Sequence, residues 1–214
     1  VEPSPGDSAE EKRDIEKVAV ELAQSEDDST YAALNTNGTE PYGTYNIGSL
    51  PAGLQDEELT EGKVIGPFIE GSNYKVVKIS EVTKDTVYNA RASHILIKWE
   101  NDSDAAKKDA REKAQKIMAE LKAGADFSAK AREHSTDPGS ARRGGDLGWF
   151  STGRMVKPFE DAVFKATKPG LVNNPVETTY AYHIISVTNT KDNAAYEIAT
   201  VELPIAASDE TINR

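Results

Sequence analysis

Apolar residues recur along the chain with two periods, and the switches between them mark out its elements. Ile15, Val18, Ala19 and Leu22 fall at i, i+3, i+4 and i+7, the stripe of an amphipathic helix. Ser8 with Glu11 has the spacing of a capping box. The pattern predicts a helix over 9–25, a shorter one over 30–34, and loop through the Gly-, Pro-, Asn- and Thr-crowded stretch 36–53. Asn73-Tyr74-Lys75-Val76-Val77-Lys78-Ile79 then reads as a strand, and 81–89 as a linker.

A second unit begins with a strand over 91–98, where Ala92, His94 and Leu96 share one face and Ser93, Ile95 and Ile97 the other. Two largely apolar faces make it a central strand. Asp102 or Ser103 caps a long helix to about Ala123, with Ala110, Ala114, Ile117, Met118 and Leu121 as its buried stripe and Gly124 as its stop. A second helix covers about 126–134. A third carries Pro158 in its first turn and buries Phe159, Ala162, Val163 and Ala166. The turn Lys168-Pro169-Gly170 leads to a short strand at 175–178 and a last one at 181–188.

The two units share a pattern. Gly43, Tyr45, Gly48, Leu50 and Leu54 precede Gly148, Phe150, Gly153, Met155 and Phe159 by a constant 105 positions, and Gly62, Pro67 and Tyr74 precede Gly170, Pro175 and Tyr182 by 108. Residues 1–84 are therefore expected to be a degenerate copy of 85–190 that lacks the first strand and has Lys75 in the place of His183. In the tail, Ile198 to Leu203 parallels Arg91 to Leu96, with Val201 standing for His94. Residues 191–214 then either start a further module, the preferred expectation, or supply a strand that completes the front copy by pairing with 73–79. Ser208 can cap a further helix.

A length of 214 residues with 37% apolar composition allows one or two domains with modest cores. The absence of cysteine excludes thiol nucleophiles, disulfides and thiolate metal sites. No run reaches the ~20 apolar residues of a membrane span. The chain opens on Val1 without a Met or a charged-then-apolar leader, so a leader or anchor is expected to have been removed, and a membrane-anchored parent stays open. Of the net charge of -11, residues 1–70 hold 16 Asp/Glu against 4 Lys/Arg. That acidic front disfavours nucleic acid and anionic lipid and suits cationic partners or solubility alone.

Three fragments stand in one order: His94-Ile95-Leu96, Gly144-Gly145-Asp146-Leu147-Gly148-Trp149-Phe150, and Pro175-Val176-Glu177-Thr178 running into Tyr182-His183-Ile184-Ile185. In that combination the chain resembles the parvulins, peptidyl-prolyl cis/trans isomerases. The resemblance implies an α+β, FKBP-like fold over 85–190, a four-stranded antiparallel sheet flanked by helices. It implies an apolar cup for the proline ring made of Leu147, Met155 and Phe159, with Phe150 and Tyr180 also on the substrate side, and a polar set of His94, His183, Thr178 and Asp137. It implies no metal and no cofactor.

Some parvulins place Cys where Asp137 stands here, so the chemistry expected is noncovalent. The barrier to be lowered is about 18–20 kcal/mol, and a ~10³-fold acceleration needs only about 4 kcal/mol. On the residues alone, His94 and His183 can equally be core histidines and Asp137 the first residue of an Asp-Pro-Gly turn. A hydrolase built on Asp137 and Asp146 lacks a companion nucleophile or metal set. Ala181 stands where the family commonly has Gly, which matters if that position needs φ > 0. Lys98 followed by Glu100, Asp102 and Asp104 replaces the arginine cluster of phosphate-selective members. Arg142 and Arg143 face either substrate carbonyls or solvent.

One intact module beside degenerate ones resembles the periplasmic SurA/PpiD type of isomerase-chaperone. The resemblance implies a protein of the cell envelope that isomerises X-Pro bonds in unfolded or extended proline-containing polypeptides, with no nucleic-acid partner. The alternative is a non-catalytic holdase that uses the same folds as a peptide-binding scaffold.

Overall fold

A computed structural model describes residues 5–55 and 57–205. In chain order the elements are α1 (Pro5–Ala23), α2 (Asp28–Asn35), β1 (Tyr42–Asn46), a 3-10 turn (Ala52–Leu54), β2 (Val64–Glu70), β3 (Asn73–Lys98), α3 (Asp104–Lys122), α4 (Phe127–His134), α5 (Pro138–Ala141), β4 (Asp146–Ser151), α6 (Lys157–Phe164), β5 (Gly170–Leu171), β6 (Val176–Glu177) and β7 (Ala181–Pro204). None of the described helices is long and apolar enough to cross a membrane. The chain divides into a rear unit, 86–193, and a front unit made of 1–85 with 194–214.

In the rear unit β3 pairs antiparallel with β4, from Asn89↔Ser151 to Ser93↔Asp146, and β7 pairs with β6 and β5 through Val176↔His183, Glu177↔Tyr182 and Gly170↔Val187. The architecture is α+β, an antiparallel sheet with helices. Alternation in the strands feeds two apolar layers. On one face Ile95, Ile97, Tyr182 and Ile184 pack on the α3 stripe Ala110, Ala114, Ile117 and Met118. On the other, Ala90, Ala92, Ile185 and Val187 pack on Phe159 and Val163 of α6 and on Phe150. Ser103 caps α3 by accepting from Ala106 N–H (3.2 Å), and Asp126 caps α4 by accepting from Ala129 N–H (2.6 Å).

The front unit repeats this plan. α1 and α3 both have 19 residues, α2 and α4 both have 8, and α2 is capped by Asp27 as α4 is by Asp126. The offset of 108 is kept as pairing register: Phe68↔Lys75 and Ile69↔Tyr74 in front correspond to Val176↔His183 and Glu177↔Tyr182 behind. The first strand of the front unit is the tail. Residues 195–199 of β7 pair antiparallel with β1, β7 is next to β3 in the strand order, and Ile205 N–H donates to Ser72 C=O (2.8 Å). These contacts join the described part of the tail, as far as Ile205, to the front unit. Ser208 lies outside the described residues.

Several expectations are corrected. The stretch 81–89 is strand rather than linker; residues 83–88 are exposed on both faces, so no alternation betrayed them. β1 lies in the glycine-bearing stretch read as loop, and β4 adds a strand around Gly148 that the apolar pattern did not predict. α1 begins at Pro5, so Ser8 falls inside it rather than at its cap. Thr200, not Val201, stands in the place of His94. Glu202 N–H donates to Thr36 Oγ1 (2.9 Å) and its carbonyl accepts from Asn37 N–H (2.9 Å), as Leu96 does with Ser135 Oγ (3.1 Å) and Thr136 N–H (2.7 Å). Val201 sits with Tyr74 and Val76 on the helix side, as Ile95 sits with Tyr182 and Ile184. A slip of one residue exchanges the two faces of a strand.

Candidate active site

The floor of the site is two histidines on neighbouring strands. His94 on β3 and His183 on β7 are 7% and 3% exposed, with Nδ1 facing Nδ1 at 3.3 Å. Beyond His94, its Nε2 lies 3.0 Å from Asp137 Oδ2 and 3.1 Å from Ser140 Oγ. Beyond His183, its Nε2 lies 3.2 Å from Thr178 Oγ1. All four polar candidates therefore meet, and Ser140, which the sequence reading missed, joins them. Ser140 Oγ donates to Asp137 Oδ2 at 2.6 Å, while Gly139 N–H donates to Asp137 Oδ1 at 3.1 Å. The spacing Asp-Pro-Gly-Ser, a short cap with a hydroxyl three residues on, was the available signal.

Protonation fixes the direction of these bonds. Asp137 is held down to about 2, chiefly by the Ser140 hydroxyl and further by His94 and the Gly139 amide, so it is an ionised acceptor. Burial lowers His94 against the pull of Asp137, and burial followed by the charge of His94 lowers His183 to about 4. Both rings are neutral at pH 7. A carboxylate accepts only, so His94 carries its proton on Nε2 and accepts at Nδ1. His183 then donates from Nδ1, and its Nε2 faces Thr178 Oγ1, whose hydroxyl donates to the Ala181 carbonyl at 3.1 Å. The Ala181 carbonyl takes Thr178 N–H at 2.9 Å. One chain of donors runs from His183 through His94 to the Asp137 charge.

The turn before β4 is fixed against this floor. His94 N–H donates to Gly145 C=O at 2.8 Å. Gly145 has φ +90°, and a Cβ there would stand 2.5 Å from the His94 carbonyl oxygen, so only glycine fits. Arg91 grips Asp146 with two bonds, Nη2 to Oδ2 at 2.7 Å and Nε to Oδ1 at 3.3 Å. Arg143 donates to the carbonyls of Gly139 (3.1 Å) and Asp146 (3.0 Å), so it braces the loop. Asp146 is thereby an anchor for the turn. Ala181 is buried, and no described non-glycine residue has positive φ, so it needs no special backbone.

The apolar candidates also converge. Leu147, Met155, Phe150 and Phe159 belong to one cluster with Val163, Ile185 and Val187. Phe159 is 2% exposed, while Leu147 and Met155 are half-buried at its rim. The Phe159 ring stands edge-on to both histidines, 5.9 Å from His94 and 5.4 Å from His183, and 6.0 Å from Phe150. Tyr180 is the outlying member. It is exposed, with its ring T-shaped to His183 at 5.8 Å. Among the described residues no group of His, Asp and Glu is placed to hold a metal.

A family model described as the PPIC-type PPIASE domain matches residues 74–191. The chain belongs to this family. It is 43% identical over 58% of its length to the foldase protein PrsA of Geobacillus kaustophilus, covering 43% of that protein. It is 31% identical over 92% of its length to the chaperone SurA of Pseudoalteromonas atlantica, covering 47%. The chain thus spans less than half the length of these curated relatives. A crystal structure of peptidylprolyl isomerase PrsA from Bacillus cereus aligns with TM-score 0.42 at 38% identity, covering 49% of this chain and 36% of that one.

Proposed function

We propose that the rear unit catalyses cis/trans isomerisation of X-Pro bonds in unfolded or extended polypeptides, without a covalent intermediate. One observation carries the reading: the half-open apolar cluster of Leu147, Met155 and Phe159 borders, through the Phe159 ring, both histidines of the hydrogen-bonded floor. A planar amide is the more charge-separated form, and twisting it removes that separation. A proline ring seated on Phe159 and Met155 brings its imide out of water, which costs the planar form more than the twisted one. The required gain is about 4 kcal/mol. His94, His183, Thr178 and Asp137 hold the floor in one tautomeric order, and the buried neutral imidazoles add no competing charge.

The front unit is read as non-catalytic, a partner that holds extended apolar segments. The names foldase and chaperone borne by the relatives support this pairing of activities, and the resemblance to the SurA/PpiD type is the ground for placing the protein outside the cytoplasm, in the cell envelope and specifically the periplasm. Cell fractionation that recovered the protein with cytoplasmic markers would remove the last point. The activity itself is tested with a substrate whose refolding is limited by X-Pro isomerisation. Acceleration of the slow phase is expected. Suppression of aggregation with an unchanged slow phase would leave only the holdase alternative.

A further inference from the structure

On the α3 side of the rear sheet a hollow of about 370 Å³ lies between α3 and the chain leading into β6. Gln115, Ala119 and Lys122 stand on one wall, Pro175 and Glu177 on the other, and Tyr182 between them. Two polar bonds brace it: Lys122 Nζ donates to the Asn173 carbonyl at 2.7 Å, and Tyr182 O–H to Glu177 Oε2 at 3.0 Å. The front unit has the same place. α1 precedes α3 by 99 positions, as Asp27 precedes Asp126, and β2 precedes β6 by 108 in pairing register. Glu16, Val20 and Ala23 therefore correspond to Gln115, Ala119 and Lys122, and Pro67 and Ile69 to Pro175 and Glu177.

In the front unit this furrow shows hydrocarbon where the rear has charge. α1 lies against β2. Ile69 pairs with Tyr74, whose side chain packs with Ile15 and Leu22 of α1, so Ile69 stands on the helix side of the sheet. Val20 is 58% exposed and Ile69 59%. Acid rims the two: Glu16 one turn before Val20, Glu21 beside it and Glu70 beside Ile69 are all exposed, within a segment 1–70 of 16 Asp/Glu against 4 Lys/Arg.

We infer that the α1–β2 furrow is where the front unit holds a client polypeptide, an extended apolar segment flanked by Lys or Arg. The inference rests on the holdase reading of the front unit above. From Glu16 to Ala23 the furrow follows about 10 Å of helix, enough to seat about three extended residues. Apolar side chains of that segment cover Val20 and Ile69 and take them out of water. The acidic rim attracts flanking cations and repels flanking acid. No proline is needed for occupancy.

The test is fluorescence anisotropy with the full chain and two labelled, proline-free peptides that share a Leu/Val core, one flanked by Lys and one by Glu. The Lys-flanked peptide is expected to bind, and the Glu-flanked one about tenfold more weakly at low salt. The double variant Val20→Ser, Ile69→Ser, at exposed positions where a thermal melt verifies folding, is expected to lose about tenfold or more in affinity. Leu34→Ser trims an apolar side chain that is 79% exposed on α2, and is expected to bind as the unmodified chain does. Four results overturn the furrow assignment: undiminished binding in the double variant, an equal loss in Leu34→Ser, equal affinity for both peptides, or a dimer by light scattering that the double variant dissociates. No binding of either peptide overturns the holdase reading and this inference with it.

Discussion

The two units share helix lengths, caps and pairing register, and differ in what stands at one place. Where the rear unit has His183, the front has Lys75, bonded to Glu70 and Glu202. His94 corresponds to Thr200, and Thr178 to Glu70. Asp137 corresponds to Gly38, whose N–H donates to Thr36 Oγ1 at 3.0 Å as Asp137 N–H donates to Ser135 Oγ at 3.4 Å. The cup differs as well. Leu50 and Leu54, in the places of Met155 and Phe159, are 3% and 0% exposed. Phe68, in the place of Val176, packs its ring against Gly53, where a Cβ would meet it at 3.0 Å. The front cluster is filled by its own side chains, while the rear one keeps Leu147 and Met155 half-open. Pairing register and apolar alternation carry the fold; a handful of positions on one face carry the proposed chemistry.

The sharpest way to break the comparison is to remove the shared topology from one side. Ending the chain after Asn193 deletes the strand between β1 and β3 and leaves both with unpaired edges. The front unit is expected to lose its cooperative melting transition while X-Pro isomerisation by residues 86–193 is retained. A front transition that survives would show that the tail is dispensable to it.

Next come matched cavities. Phe159→Ala is expected to destabilise the rear unit by about 3–5 kcal/mol and Leu54→Ala the front by about 2–5 kcal/mol, by denaturant unfolding. Only Phe159→Ala should abolish isomerisation. Equal losses of activity in both would mean that the front cluster also serves catalysis.

Acid separates the units more gently. His183 has a folded value of about 4 against about 6.5 unfolded. The unfolded chain therefore binds more protons between these values, so stability falls as pH drops from about 6.5 to 4 and this contribution is constant outside that window. The fall amounts to about 3 kcal/mol, is confined to the rear unit, and is expected to disappear in His183→Asn. A front unit with the same acid midpoint shift would contradict the assignment.

Much of this was legible in the sequence, for identifiable reasons. The α3 stripe and the histidine-bearing strands carry clear apolar periods, and the Gly144-Gly145-Asp146 turn carries a residue that only one geometry accommodates, as Gly145 shows against the His94 carbonyl. The resemblance to parvulins rested on these residues, and the four polar candidates and the cup trio lie together. Other features had no local signature. Ser140 looks like any turn serine until Asp137 is seen to be its partner. β4 is a strand because β3 lies beside it, with Gly148 at its centre. Thr200 and Val201 are both β-branched, so only the pairing partners and the helix-side cluster decide which of them faces the way His94 does.

The most direct test of the central claim is line-shape or exchange NMR on an X-Pro peptide with three proteins at equal concentration: the unmodified chain, Met155→Ala and Leu50→Ala. These substitutions trim corresponding residues of the two clusters, one half-open and one closed. Catalysed exchange by the unmodified chain, reduced about tenfold or more in Met155→Ala and unchanged in Leu50→Ala, is the predicted result. Exchange that is undiminished in Met155→Ala, or lost in Leu50→Ala with its fold intact, would contradict a single catalytic hollow in the rear unit.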